Sequence, residues 1–169
     1  VYTEGMIKLR SSMSSPKKPY HHGDLRGALL EAGEKMLERD GVAGLSLRKL
    51  GRELGVTPGA PYRHFEDKDA LLAALAAVGY RRLRTEMTRD IESVDDAEEQ
   101  LKRSGTGYVR FATAHPELFR LMFGWTPTVE DAELQEAGEA AYAAFEGILK
   151  KSHDNCLSLI SAAVAGLIA

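Results

Sequence analysis

The chain has 169 residues, of which 44% are hydrophobic and 28% charged, and its formal net charge is −3. This composition is typical of a soluble globular protein and excludes a largely disordered one. The single cysteine, Cys156, excludes a disulfide framework and a multi-cysteine zinc site, and we expect its thiol to be buried and unreactive. Because there is no apolar run of about 18 residues and no signal peptide, the sequence predicts a cytoplasmic protein with no membrane partner.

Residues 1–23 are predicted to form a flexible N-terminal arm, because residues 1–20 show no hydrophobic periodicity. His21 and His22 do not suggest a metal site, since adjacent residues on a regular element cannot both face one ion and no third ligand lies near. We therefore expect no metal and no cofactor. Residues 1–70 carry 12 Lys and Arg against 10 Asp and Glu, whereas residues 71–169 carry 10 against 15, so a local basic face is possible near the N-terminus.

Two helices are predicted after this arm. The first begins at Asp24 and ends near Asp40-Gly41, and its apolar residues recur at spacings of three and four. The second begins after Ser46, an N-cap residue, and ends at Gly55. Leu45 and Leu50 are placed to form a hydrophobic staple around its first turn. The predicted buried residues are Leu25, Ala28, Leu29, Ala32, Met36 and Leu37 in the first helix and Leu47, Leu50 and Leu54 in the second.

A short third helix is predicted from Thr57 to about Phe65, with Thr57 as its cap and Pro58 at its first position. Pro61 would then remove the first intrahelical hydrogen bond, which favours a start one or two residues later. Asp67 caps a long fourth helix that extends to about Asp90. One face of this fourth helix carries Leu72, Leu75, Gly79, Leu83 and Met87.

Four further helical segments follow the acidic, solvated link ESVDDAEEQ. They span residues 96–114, residues 116–123, an amphipathic stretch that ends at Lys151, and a segment from about Asn155 that is apolar on nearly every side. We expect this last segment to be buried in the chain or against a partner. With no β-alternation, the sequence predicts an all-α protein of about eight helices. The amphipathic stretch carries Leu134, Ala137, Ala141, Phe145 and Ile148.

Residues 24–70 are predicted to form a helix-turn-helix DNA-binding domain, in which the second helix of the pair enters the major groove. Tyr62, His64 and Lys68 suit phosphate contacts, Arg48 and Arg63 reach base edges, and the N-terminus of the fourth helix suits a phosphate. The alternative is a helical hairpin with core aromatics and solvated charges. The candidate DNA-binding residues are Ser46, Arg48, Thr57, Pro58, Gly59, Ala60, Tyr62, Arg63, His64 and Lys68. The basic stretch SSPKKPYHHGD fits either a minor-groove arm or a disordered tail.

This stretch resembles the DNA-binding domain of the TetR family of bacterial transcriptional regulators. The resemblance covers residues 24–72 through LERDGVAGLSL, RKLGRELGV and TPGAPYRHFEDKDALL, in ungapped order. It implies a homodimer whose C-terminal helical domain, here residues 71–169, binds a small molecule and joins the subunits. It also implies that effector binding releases double-stranded operator DNA.

The second half is similar to a common C-terminal type of that family through GYVRFATAHPELFRLMFG at residues 107–124. Members of that group often carry Trp and His before a Gly near the end, where ISAAVAGLIA has Ser161 and Ala165 and keeps only Gly166. The sequence ends at Ala169, where the family normally has a ninth helix. We therefore expect part of the dimer interface to be lacking.

An apolar effector pocket is predicted among the aromatic and methionine side chains of the C-terminal half, with His115, Arg110 and Arg120 as its polar groups. Plain hydrophobic core is the alternative for any one of these side chains. The candidate ligand-binding residues are Tyr108, Phe111, His115, Phe119, Met122, Phe123, Tyr142 and Phe145, and Trp125 belongs to the same group.

These features favour a ligand-responsive repressor. The alternative is a TetR-fold DNA-binding protein without a small-molecule effector. An enzyme is not expected, because the sequence contains no G-x-S-x-G, H-E-x-x-H, Walker or G-x-G-x-x-G motif and Cys156 lacks a plausible His partner.

Overall fold

A computed structural model describes residues 24–128 and 130–152, and within these ranges every regular element is helical. The predicted N-terminal arm with His21 and His22, and the apolar segment from Asn155 with Cys156, lie outside the described residues. The α-helices are α1 Leu25–Gly44, α2 Leu47–Glu53, α3 Lys68–Thr88, α4 Ala97–Ala114, α5 Pro116–Gly124 and α6 Ala132–Lys151, and a short 3₁₀ helix spans Pro61–Arg63. The all-α prediction is confirmed for the described part of the chain.

Most helix starts follow from a local aspartate. The side chain of Asp24 accepts a hydrogen bond from the Gly27 amide at 2.8 Å, and Asp67 does the same for Ala70 at 2.8 Å. Asp96 and Asp131 cap α4 and α6 in the same manner. Each carboxylate satisfies an amide that has no partner inside its own helix.

Glycine marks the helix ends that the sequence predicts. Gly41, with φ of 66°, interrupts α1, and the chain resumes one further helical turn before Gly44. Gly55, with φ of 69°, follows the end of α2. Both angles lie in the left-handed region that a side chain disfavours. Ser46 occupies the N-cap position of α2, as predicted, but its side chain makes no cap hydrogen bond there.

The predicted third α-helix is also wrong, and a turn replaces most of it. The Ala60 amide donates to the Thr57 carbonyl at 3.0 Å, and regular structure begins only at Pro61, as a 3₁₀ helix of three residues. Because Pro61 has no N–H, the first hydrogen bond of an α-helix starting at Thr57 cannot form. The segment therefore closes as successive tight turns. We refer to residues 57–65 as the reading turn.

Helix α3 lies at the centre of the fold and packs against α1, α4, α5 and α6. Its residues 71–77 are all buried, so this part of α3 is covered on all sides, whereas a surface helix buries only one face. Small side chains make this possible, since four of these seven residues are alanine. No helix among the described residues combines the length and apolar composition that crossing a bilayer requires.

Helices α3 and α4 approach each other closely at Gly107. A Cβ atom at this position would lie 2.1 Å from the backbone oxygen of Glu86 on α3. Backbone cannot yield as a flexible side chain can, so any side chain at position 107 must push the two helices apart. Gly105, which is exposed on the same helix, has no atom within 4 Å of such a Cβ.

These two glycines give a matched test of the packing. We expect Gly107→Ala to lower the free energy of unfolding by about 1–3 kcal/mol, because the added methyl overpacks the α3–α4 contact. Gly105→Ala should raise it by about 0.5–1 kcal/mol, because alanine restricts the unfolded chain and favours helix. Urea unfolding of both variants measures the two changes. Equal effects at both positions would contradict the close contact.

Candidate functional site

The reading turn is held by two buried residues and presents its polar ones. Pro61 is buried against Gly51 of α2, where a Cβ would lie 3.1 Å from the proline Cγ. Phe65 is 3% exposed, and the Arg26 guanidinium lies 5.5 Å from its ring centroid. Between these anchors the three residues Tyr62, Arg63 and His64 are all exposed. An aromatic, a cation and an imidazole therefore project from a fixed backbone.

None of the predicted DNA-binding residues is buried. Ser46, Ala60 and Lys68 are partly buried, and the others are exposed. They come from the start of α2, the reading turn and the first residue of α3, so one helix-turn-helix unit and the helix after it present all of them. The exposed members are Arg48, Thr57, Pro58, Gly59, Tyr62, Arg63 and His64.

Cations in this region lack the carboxylate partners that cations elsewhere have. Arg48, Arg63 and Lys68 make no ion pair or hydrogen bond within the described residues, and neither does Arg52, which is exposed one helical turn after Arg48. In contrast, most other Lys and Arg side chains pair with Glu or Asp; these include Arg26, Lys35, Arg39, Arg81, Arg82, Arg89, Lys102, Arg103, Arg110, Arg120 and Lys150. Arg52 was not among the predicted DNA-binding residues, although its spacing of four from Arg48 places both on one helix face.

The start of α3 offers less to an anion than the sequence suggested. Asp67 already accepts the Ala70 amide, and the Asp69 carboxylate lies in the first turn, where it accepts a hydrogen bond from the Thr128 hydroxyl at 2.6 Å. Two negative side chains therefore flank Lys68. The ammonium group of Lys68, rather than the helix terminus, is the available positive group there.

Four rings of the C-terminal half form a second feature, which we call the ring cluster: Tyr80, Tyr108, Phe119 and Phe123. Tyr108 and Phe119 meet edge to face at 5.5 Å between centroids, and Phe119 lies 4.7 Å from Phe123. Tyr80 contacts Phe123 at 5.7 Å, and its hydroxyl donates to the Met122 carbonyl at 2.7 Å. Tyr80 was not among the predicted ligand-binding residues, because the apolar stripe predicted for that helix passes through Gly79.

The remaining predicted ligand-binding residues are more dispersed. Phe111 and Met122 are 2% and 5% exposed, and the Phe111 ring lies 5.4 Å from that of His115. Phe145 is partly buried against the hydrophobic core. Tyr142 is 69% exposed, so the described residues do not enclose it.

The two arginines expected to be polar pocket groups lie at the surface. Arg110 is exposed and pairs with Glu86 at 3.5 Å, and Arg120 is exposed and pairs with Glu117. His115 instead faces α1, with its Nδ1 3.7 Å from the Glu34 carboxylate. Across residues 24–128 and 130–152, no three His, Cys, Asp or Glu side chains form a group that could hold a metal ion.

Comparison with known proteins places both halves of the chain in one family. Residues 29–75 match the family model for bacterial regulatory proteins of the tetR family, and residues 101–168 match the model for a tetracyclin repressor-like C-terminal domain. A solved protein of unknown function from Rhodococcus sp. RHA1 is 42% identical, with a TM-score of 0.70 over 80% of this chain and 71% of that one.

Two further relatives are more distant. The TetR family transcriptional regulator PfmR from Thermus thermophilus is 21% identical, with a TM-score of 0.58 over 73% of this chain and 69% of that one, which shows a shared fold. The nucleoid occlusion factor SlmA of Aliivibrio fischeri is 28% identical over 124 residues, or 73% of this chain. The chain spans 61% of the length of that relative.

The ring cluster also predicts a dependence of stability on pH. Burial raises the pKa of the Tyr108 phenol above its ordinary value of 10.0. The pKa of Tyr80 is also raised, mainly by burial and to a smaller extent by the charge of the neighbouring Tyr108. Because these pKa values are raised in the folded state, the two phenols contribute fully to the free energy of unfolding below about pH 10. This contribution is lost as pH rises through the folded-state pKa values. We expect Tyr108→Phe to lose less stability than the parent protein between about pH 9 and about pH 11.

Urea unfolding across this pH range measures the difference. Tyr142→Phe, which removes an exposed phenol, is the control and should follow the parent profile. Identical pH profiles for the parent and Tyr108→Phe would contradict the burial of this hydroxyl.

Proposed function

The chain belongs to the TetR family, and on that premise we propose that it is a sequence-specific DNA-binding transcriptional regulator. In this proposal it is a repressor that leaves a palindromic operator in double-stranded DNA when a small hydrophobic effector binds. The unpaired cations of α2 and the reading turn are the observation that carries the DNA-binding part. A cation without a carboxylate partner is available to a phosphate or a base without first breaking an ion pair.

We assign the individual contacts from side-chain length and position. Tyr62, His64 and Lys68 contact phosphates, because their donors stand at the end of the exposed reading turn and the start of α3. Arg48 and Arg63 read base edges, since a guanidinium can donate two parallel hydrogen bonds to guanine. Arg52 joins the phosphate contacts. Ser46 and Thr57 hydroxyls supply further phosphate donors.

The backbone of the reading turn allows a close approach to DNA. Pro58 has a rigid ring, Ala60 has only a methyl group, and Gly59 has no side chain. A Cβ at Gly59 would meet no atom within 4 Å. The protein itself thus leaves room for a larger side chain at this position, and in this proposal the bound DNA limits its size. A larger residue there would hold the backbone away from the groove.

The effector-binding part rests on the ring cluster and the residues around it. Aromatic side chains with few charged neighbours suit an uncharged or amphipathic hydrophobic molecule. Phe111, Met122 and Phe145 extend the apolar surroundings, while His115 supplies a polar group. The proposal includes a homodimer, because a palindromic operator matches a two-fold symmetric protein, and it places the protein in the cytoplasm.

The second candidate is a TetR-fold DNA-binding protein that acts without a small-molecule effector. Two observations favour it: the rings of the ring cluster already contact one another, and one relative is named a nucleoid occlusion factor. Neither candidate needs a cofactor or an enzymatic activity. The two candidates share the DNA-binding surface and differ in whether a ligand displaces the rings.

Salt-dependent binding tests the assigned contacts, using an operator selected from a random DNA pool. We expect Lys68→Ala to weaken binding to operator and scrambled DNA alike and to reduce the slope of log affinity against log salt by about one. Arg63→Ala should cost about 1–3 kcal/mol on the operator and relax specificity at one base pair. Lys102→Ala is the control, because it removes the same charge from an ion pair on α4.

If Lys102→Ala changed the salt slope as much as Lys68→Ala, the effect would be one of net charge and the assigned contact would be wrong. If Arg63→Ala weakened both DNAs equally, base reading by Arg63 would be contradicted. If the parent protein selected no DNA sequence from the random pool, the DNA-binding proposal itself would be overturned.

A ligand screen separates the two candidate functions. We expect some uncharged hydrophobic compounds to raise the melting temperature and weaken operator binding. Phe119→Leu should reduce the affinity for such a compound about tenfold, because it removes ring contacts with Tyr108 and Phe123, while operator affinity stays unchanged. Val109→Ala, at a 59% exposed position of α4, is the control. A screen in which no compound changes melting or operator binding would support the effector-free candidate.

A further inference from the structure

Helix α5 is capped by a residue from a distant helix rather than by its own N-cap. His115 occupies the N-cap position without a side-chain cap hydrogen bond, and Pro116 has no N–H to donate. The next two amides, those of Glu117 and Leu118, donate to the two carboxylate oxygens of Glu38 on α1 at 3.2 and 3.0 Å. In contrast, α1, α3, α4 and α6 are each capped by the aspartate that precedes them.

The Glu38 cap joins the two halves of the molecule. Helix α1 packs against α2 and the 3₁₀ helix of the reading turn, so Glu38 belongs to the helix-turn-helix side. Helix α5 carries Phe119 and Phe123 of the ring cluster. One turn before Glu38, Glu34 reinforces the junction by contacting Arg82 and His115. The α1 surface therefore holds the beginning of α5 through carboxylates one turn apart.

This contact depends steeply on the relative position of α1 and α5, because a hydrogen bond from a backbone amide to a carboxylate is lost within a displacement of about 1 Å. A cap of this kind typically contributes about 0.5–2 kcal/mol to the helix that receives it. When α1 and α5 keep their relative position, the two amides are satisfied. When they separate, the first turn of α5 loses its cap and opens more readily.

We propose that Glu38 is a positioning residue that couples DNA binding to the first turn of α5. The inference rests on the proposed DNA binding. DNA held by α2 and the reading turn fixes α1, and thereby favours the capped state of α5. Thermodynamic linkage makes the effect reciprocal. A molecule that displaces α5 through its rings weakens DNA binding by the same factor by which DNA weakens the binding of that molecule.

Hydrogen–deuterium exchange of residues 116–124 with and without the selected operator duplex tests the coupling. In the parent protein we expect DNA to slow amide exchange in the first turn of α5 about fivefold. This is the factor that corresponds to the typical free energy of one helix cap. Glu38→Ala should abolish this response to DNA. Asp131→Ala, which removes the local cap of α6 in the same half, should leave the response of α5 intact.

A second variant distinguishes coupling from simple loss of stability. His115 has φ of −132° and ψ of 62°, close to the −133° and 69° at which Asp24 caps α1. Glu38→Ala/His115→Asn therefore supplies α5 with a local cap, and asparagine avoids placing a second carboxylate beside Glu34. We expect this double variant to regain slow exchange in α5 without regaining the response to DNA.

The outcomes separate the two proposals. A parent protein that fails to bind DNA overturns the proposed function. A parent that binds DNA with no change in the exchange of residues 116–124 overturns the coupling alone. The coupling is equally overturned if Glu38→Ala retains the fivefold response, or if the double variant regains it.

Discussion

The fold depends on the enclosure of α3 by four other helices. A helix covered on every side by neighbours cannot carry large side chains all round, because the helix axes must approach closely. The chain meets this constraint with alanines within residues 71–77 and with Gly107, where α4 meets the backbone of α3. The positions of α1, α4, α5 and α6 follow from this packing, and α1 in turn packs against α2 and the 3₁₀ helix of the reading turn.

The reading turn shows how a short, irregular segment is held in place without being an α-helix. Pro61 packs on α2 and Phe65 enters the core, so the backbone between them is fixed from both ends. Hydrogen bonds from His64 and Phe65 to the Pro61 carbonyl, at 3.0 and 3.1 Å, close the turn. Such a segment fixes the backbone that carries three exposed side chains, so little backbone entropy remains to be lost.

Charge pairing separates the two ends of the molecule. On α4 and α6, and on much of α1 and α3, cations lie beside carboxylates and their fields largely cancel at short range. Around α2 and the reading turn, Arg48, Arg52 and Arg63 have no carboxylate partner among the described residues, although the formal net charge of the chain is −3. Glu34 and Glu38 both belong to α1. The first contacts Arg82 and His115, and the second caps α5, so one helix supplies both an ion pair and a helix cap.

Local signals in the sequence predicted the helical class and most helix boundaries, whereas the family was predicted from the resemblance of residues 24–72. Asp24, Asp67, Asp96 and Asp131 each cap the helix that follows them, and Gly41 and Gly55 end helical runs through their own backbone angles. Tyr62, Arg63 and His64 were predicted to lie on an α-helix, but regular structure there is limited to a 3₁₀ helix because Pro61 cannot donate the first α-helical hydrogen bond.

Which side chains pair and which remain free emerged only from the packed helices. Glu38 reaches α5 across 79 positions of sequence, Tyr80 joins rings from α4 and α5, and Arg52 lacks a partner among the described residues while Arg110 has one. No spacing rule encodes these relations, because they arise where distant helices meet. The packing of α3 sets those meeting points, and it depends on the combined volumes of many side chains rather than on any one motif.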